Sequence, residues 1–175
     1  MVTQIGAITK NKRQNVLISV IANLKNLGKD VVGLIVGDTV TEDRTFKREL
    51  EQRIEDCGIK SQVVWMGFRS DIGDILAATD CVLVPSEEGL SLVAMEAMSA
   101  KRQVVTMNSS GAYELLNHAG CGTFYKENDE SSVTNAVKKV LETPDVKETE
   151  RGYAFCIKQT NANFKNKITN LFLNI

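Results

Sequence analysis

The stretch CVLVPSEEGLSLVAME, residues 81–96, decides how the rest of the chain is read. Its opening run, Cys81–Val84, is wholly apolar, as a parallel strand covered on both faces requires. Pro85 lacks the N–H that a ladder needs and ends the strand. Ser86, Glu87, Glu88 and Gly89 make a polar turn, and from 90 to 100 the apolar residues recur at helical spacing. Strand, glycine-containing turn and helix follow one another, with Glu88 and Glu96 bracketing the turn and the first part of the helix.

The same alternation extends in both directions. Residues 2–8, VTQIGAI, read as a first strand ending at Gly6-Ala7, followed by the cationic loop TKNKRQN. Val16, Leu17, Val20, Ile21, Leu24 and Leu27 mark a helix that Gly28 closes. A second strand spans 31–36, and a charged helix over 43–57 carries a narrow stripe of Phe46, Leu50, Ile54 and Cys57. A third strand covers 62–66, and Ile72, Ile75 and Leu76 make a short helix. A fifth strand at 103–107, a short helix at 112–116 and a sixth strand at 122–125 come after the central unit. Asn128 or Asp129 caps the next helix, whose apolar face is Val133, Ala136, Val137, Val140 and Leu141. A last helical pattern begins near Lys147 and runs through Phe164, Ile168, Leu171 and Phe172. Short strands alternating with helices predict an α/β fold, an open doubly wound, mostly parallel six-stranded Rossmann-like sheet with helices on both faces. The strands lack the eightfold repetition of a closed barrel.

Bulk properties narrow the function classes. A chain of 175 residues, 43% hydrophobic and 25% charged, suits one ordinary soluble domain. The expected division is a main unit over 1–146 with a helical segment over 147–175 packed on it. A net charge of -1 gives no electrostatic reason to expect nucleic-acid binding. The apolar runs are too short for a transmembrane helix, and no secretory signal precedes Val2. Cys57, Cys81, Cys121 and Cys156 form no CxxC pair and read as reduced thiols in a cytoplasmic protein. His118 and Cys121 lack further ligands, so no metal site is expected.

In an open α/β sheet, ligands bind outside the carboxyl ends of the strands. The loop after the first strand offers Lys10, Lys12 and Arg13, cations suited to phosphate. The loop after the fourth offers helix N-terminal amides around 90–93, with Gly89 permitting close approach. Two anion-favouring loops at one edge suggest a diphosphate-bearing ligand. Glu96 lies on an otherwise apolar helix. It reads either as a ribose-hydroxyl contact or as a solvated helix face, and its chemistry alone leaves both open.

These residues resemble a known family. EGLSLVAMEAM is similar to the E-x7-E segment of retaining glycosyltransferases of the GT-B fold, the group 1 or family-four enzymes. IGAITKNKRQNVLI resembles that family's opening strand and G-R-L-x-x-x-K loop, and VVWMGFRSDI resembles its V-x-F-x-G segment. AKRQVVTMNSSGAYELL resembles its G-K-P-V-V segment, with Gly111 and Glu114 in register. The likeness runs along essentially the whole chain, and it corresponds to the C-terminal, donor-nucleotide-binding domain. It implies donor contacts at Gly6, Lys12, Phe68, Arg69, Glu88, Gly89, Leu90, Ser91, Leu92 and Glu96. Lys12 would bind the diphosphate opposite the amides of 89–91, and Glu96 the ribose. Glu88 would face the transferred sugar, and Phe68 and Arg69 would flank the base. Lys12 and Glu88 carry the catalytic roles in this resemblance.

The resemblance also implies a UDP- or GDP-sugar as donor, no cofactor, no metal, and retention of configuration in polysaccharide or glycolipid synthesis. Acceptor binding belongs to an N-terminal domain that this chain does not match, so the chain alone is expected to be inactive. The full enzyme is expected in the cytoplasm, with peripheral association at the membrane's cytoplasmic face open to it. Three positions depart from the pattern. Ala7 stands where the family has a phosphate-binding arginine, for which Lys10 or Arg13 would have to substitute; Ser91 replaces a glycine, and Gln103 a proline. Ala7 and Ser91 motivate a second reading, a degenerate domain that binds nucleotide sugar or serves assembly without catalysis. A third reading, a GT-B epimerase, fits the E-x7-E spacing less well. A receiver domain is excluded because no acidic cluster ends the first strand.

Overall fold

Six strands line up in the order β3-β2-β1-β4-β5-β6, and every pair in the ladder is parallel. They are β1 Val2–Ile5, β2 Gly33–Val36, β3 Val63–Gly67, β4 Cys81–Val84, β5 Gln103–Met107 and β6 Thr123–Tyr125. The helices are α1 Gln14–Asn26, α2 Arg44–Asp56, α3 Ile72–Ala77, α4 Leu92–Ser99, α5 Gly111–Ala119, α6 Glu130–Glu142 and α7 Val146–Lys158. This computed structural model describes residues 1–39, 44–87, 89 and 91–159. The expectations placed on 40–43, Glu88, Leu90 and the stripe Phe164, Ile168, Leu171 and Phe172 lie outside the described residues.

The order reverses direction once, between β1 and β4, which is the doubly wound arrangement with one topological switch point. Strands buried on both faces explain the continuous apolar runs. One face packs α1, α2 and α6 through Leu17, Ile21, Leu50, Val137 and Val140 against Val2, Ile35, Cys81 and Leu83. The other packs α3, α4 and α5 through Leu76, Ala97, Met98 and Leu116 against Val82, Val84 and Val104. Helix α7 lies on α4 and α5, where Gly152 is so close that a Cβ would sit 3.0 Å from Met98 Cγ and 3.2 Å from Cys121 Sγ.

Several bounds differ from the sequence reading for identifiable reasons. β1 stops at Ile5 rather than at Gly6-Ala7, because Gly6 takes φ +147 and leaves the strand direction; beyond it Ile8 forms an isolated bridge to Thr39. Helix α4 begins at Leu92, since Ser91 is extended at φ -91 and caps it by accepting from Ala94 N. Helix α5 continues past 116 to Ala119 and ends on Gly120 in the left-handed conformation, so His118 sits in its last helical turn. There it meets the Phe155 ring edge-on at 5.7 Å. Trp65 is only partly buried, with Lys47 Nζ 5.2 Å above its ring. Of the two candidates for capping α6, Asp129 does so. Gln103 serves as a tether at its strand entrance, its Oε1 accepting from Asp145 N and its Nε2 donating to Glu148, which ties β5 to the start of α7.

Candidate functional site

Because β1 and β4 are neighbours, the loops that leave their carboxyl ends border the crevice at the switch point. The first of these loops runs from Gly6 to Arg13. It contains a tight 3₁₀ turn, Lys10–Lys12, closed by Lys12 N to Thr9 O at 3.0 Å and Arg13 N to Lys10 O at 3.1 Å. Gly6 lies under the stem of Lys12, and a Cβ at residue 6 would meet Lys12 Cδ and Cε at 3.5 Å. Two buried glutamines hold the loop from beneath. Gln4 Nε2 donates to the Lys12 carbonyl at 2.5 Å, and Gln14 Nε2 donates to the Ala7 carbonyl at 2.9 Å. Their exposures are 3% and 0%, and both Oε1 atoms are buried with no hydrogen-bond partner among the described residues. A buried carbonyl left unpaired costs roughly 1–3 kcal/mol, so the arrangement needs a compensating reason.

The second loop joins β4 to α4. The β4 end is pinned by Thr106, whose Oγ1 donates to Val84 O at 2.7 Å and pairs with Ser110 Oγ at 3.0 Å. Ser86 and Ser91 are buried, whereas Gly89 is exposed, and a Cβ there would touch nothing within 4 Å. That open space lies just before the N-terminus of α4, where unpaired amides and the helix dipole favour an anion. Ser91 is compatible with this geometry despite replacing glycine, because its φ of -91 is available to any residue. Glu88 and Leu90, assigned to the sugar and to the turn, lie outside the described residues.

Arg13 has side-chain partners far along the chain. Its backbone is left-handed at φ 54, and its guanidinium reaches the ends of β5 and β6. It bonds Glu127 Oε1 at 3.3 Å, Asn128 Oδ1 at 3.1 Å and Met107 Sδ at 3.3 Å. The cation is thus engaged by groups at the ends of β5 and β6. Glu127 also accepts from Ser109 Oγ at 3.0 Å, and that hydrogen bond, with Arg13 beside it, holds its carboxyl below the usual range. Lys10 is exposed.

Glu96 is exposed on α4. The helix is buried only through Ala94, Ala97 and Met98, so the carboxylate does not bear the desolvation cost that a buried helix would impose. It opens into a groove of about 670 Å³ between α3 and α4, whose walls include Ile72, Leu76, Leu92 and Met95. Leu92 is 65% exposed there, and Phe68 in the loop before α3 is 81% exposed. Arg69 forms a two-point pair with Asp71 at 2.8 and 2.5 Å, which fixes it at the mouth of that loop. The described site residues therefore fall into two groups. Gly6, Lys12, Gly89 and Ser91 border the switch-point crevice, while Phe68, Arg69, Leu92 and Glu96 belong to the α3 side.

Sequence reading missed Gln4, Gln14 and Glu127. The one local signal was Gln4 itself, a polar residue in an otherwise buried strand. Among the described residues, no group of three or more His, Cys, Asp or Glu comes together as a metal site.

Comparisons with known proteins bear on this geometry. The family model described as glycosyl transferases group 1 matches residues 1–155. Alpha-D-kanosaminyltransferase of Streptomyces kanamyceticus is 26% identical over 151 residues, covering 85% of this chain and 38% of its own length. An Escherichia coli UDP-Gal:alpha-D-GlcNAc-diphosphoundecaprenol alpha-1,3-galactosyltransferase is 31% identical over 119 residues, covering 67% of this chain and 30% of its own. Among solved structures, Anabaena HepE in complex with UDP and glucose superposes with a TM-score of 0.87 at 24% identity, over 99% of this chain and 48% of that one. The chain spans less than half the length of these relatives.

Proposed function

The chain belongs to the glycosyl transferases group 1 family, and from that premise we propose that it is the donor-binding half of a retaining hexosyltransferase in polysaccharide or glycolipid synthesis. The donor is a nucleoside-diphosphate sugar, UDP- or GDP-linked. The observation that carries this reading is the pairing of β1 with β4, which sets the Lys12 loop beside the turn that starts α4. One loop supplies a cation and the other supplies helix N-terminal amides, the two kinds of group that hold a diphosphate. Their positive potential serves the leaving diphosphate without a metal ion.

Ribose hydroxyls fall to Glu96, and the base to the loop of Phe68 and Arg69. Glu88 faces the sugar and shares the catalytic role with Lys12. Residues 1–146 form the nucleotide-sugar-binding unit and 147–175 a helical segment on it, of which α7 is the described part. A second, acceptor-binding domain completes the active site, and turnover requires it. The place of action is the cytoplasm or the cytoplasmic face of a membrane; four free thiols suit a reducing compartment.

Titration calorimetry with UDP and GDP tests the reading. Heat of binding to at least one is expected, and none at millimolar concentration for both sinks it.

A second reading, a degenerate domain that binds nucleotide sugar without catalysis, draws support from Arg13. With Ala7 at the arginine position and Arg13 engaged by Glu127 and Asn128, the crevice lacks one cation of the family pattern. Sugar transfer by a two-domain parent carrying Ala7 rules it out.

A further inference from the structure

We infer that Gln4 and Gln14 are positioning residues that set where Lys12 presents its charge, an inference that rests on the reading of Lys12 as the diphosphate-binding cation. The loop from Gly6 to Arg13 is held in part by its own 3₁₀ turn. Beyond the 3₁₀ turn, it is tied to the neighbouring strand end by Ile8 N donating to Asp38 O at 3.0 Å. Two buried side chains also hold its backbone carbonyls, from opposite directions. Gln4 reaches up from β1 to the Lys12 carbonyl, and Gln14 reaches back from the first turn of α1 to the Ala7 carbonyl. The held carbonyls belong to Lys12 itself and to Ala7, the second residue of the loop.

The chemistry of the two side chains favours positioning over packing. Val2, Ile35 and Leu83 build the sheet face that Gln4 shares, and Leu17 and Ile18 cover it from α1. An apolar residue would suit that layer without leaving a buried Oε1 unpaired, yet both glutamines carry such an atom. What an apolar residue lacks is the N–H that holds the loop. The Lys12 stem lies along Gly6, so a shift of the Lys12 backbone moves the ammonium with it. Binding of a phosphate by a point charge is sensitive to a displacement of that kind, which has no bearing on contacts with a nucleoside.

The test compares UDP with uridine, or GDP with guanosine if GDP is the tighter ligand, on the full chain and on Gln4→Met, Gln14→Met and Lys12→Ala. Met keeps the volume and removes the donor. Each Gln variant should lose about tenfold in diphosphate affinity while nucleoside affinity stays constant, so the ratio of the two falls as it does in Lys12→Ala. Equal weakening of both ligands signals a merely structural role and overturns the inference. So does an unchanged ratio beside a lowered one in Lys12→Ala. No binding of either diphosphate to the unsubstituted chain removes the donor-site reading itself and the inference with it, and an unchanged ratio in Lys12→Ala removes the role of Lys12. A measurement without substitutions guards against loss of folding. The side-chain amide proton resonances of Gln4 and Gln14 should shift on adding the diphosphate and remain in place with the nucleoside; resonances that ignore the diphosphate overturn the assignment.

Discussion

Gly37 faces the carbonyl of Gly6 so closely that a Cβ at residue 37 would lie 2.0 Å from that oxygen. The two glycines end neighbouring strands, and Gly6 N donates to Val36 O at 2.9 Å while Gly37 N donates to Gly67 O at 2.8 Å. Three consecutive strand ends are thereby laced together under the loop that carries Lys12. Both glycines take positive φ, +147 and +141, which other residues rarely adopt.

Gly37→Ala combines a backbone clash with that conformation. It should destabilise the fold by about 2–4 kcal/mol, and denaturant unfolding measures it. Gly6→Ala meets only ordinary contact with the Lys12 stem, so its cost should be the smaller, reflecting backbone strain alone.

Lys12→Ala should leave stability nearly unchanged and lower nucleoside-diphosphate affinity by about tenfold or more, the worth of one charge-assisted hydrogen bond. The affinity of the unsubstituted chain should fall with rising salt more steeply than that of the variant. Calorimetry at two ionic strengths reads both effects.

Ser91 is fully buried and caps α4 by accepting from Ala94 N at 3.3 Å. Ser91→Ala should cost about 1 kcal/mol in unfolding free energy, and Ser91→Gly only a few tenths, since glycine tolerates the cap position.

Glu96 is exposed, so Glu96→Ala should not move the melting temperature. If the carboxylate takes the ribose hydroxyls, affinity for UDP drops by roughly tenfold. The drop should shrink when a 2′,3′-dideoxynucleotide is the ligand; equal losses for both ligands would remove the ribose role.

The thiols should separate by reactivity. Burial pushes Cys81 up to about 12 and Cys121 up to about 11, whereas Cys57 is exposed. Alkylation at neutral pH should label Cys57 first and reach Cys81 only on unfolding. The sign for stability follows from a folded pKa raised above the unfolded value near 9. The contribution is whole below that value, declines as pH rises because the unfolded chain sheds the proton first, and is gone above about 12. Thermal unfolding between pH 8 and 11 should show this decline, and Cys81→Ala should flatten it.

Much of the site was open to reading because its parts are local. Residues 81–96 state their strand, turn and helix through neighbours a few positions apart, and the cationic loop after β1 is visible as composition. Arg13 was not legible, since nothing near it in sequence reports that Glu127 and Asn128, more than a hundred residues on, will take its guanidinium. Exposure was left open at Glu96 for a related reason. An apolar helix of eight residues, Leu92–Ser99, need not be buried all round, and Ile72 and Leu76 leave a groove along it. Gln4 is one polar position in the first strand, and only the folded loop gives its amide a purpose.

The amino-acid order by itself determined six strands, the helices between them and the resemblance to a donor-binding domain, because periodicity and turn chemistry act over a few residues. The tertiary structure decided the strand order, and with it the meeting of the Lys12 loop and the Ser91 cap at one switch point. It also decided which glutamines hold that loop and which carboxylate stands at the open groove. Pairing between strands nearly eighty residues apart, Val2 with Cys81, arises from burying both faces of one sheet, a long-range condition that no single stretch of sequence contains.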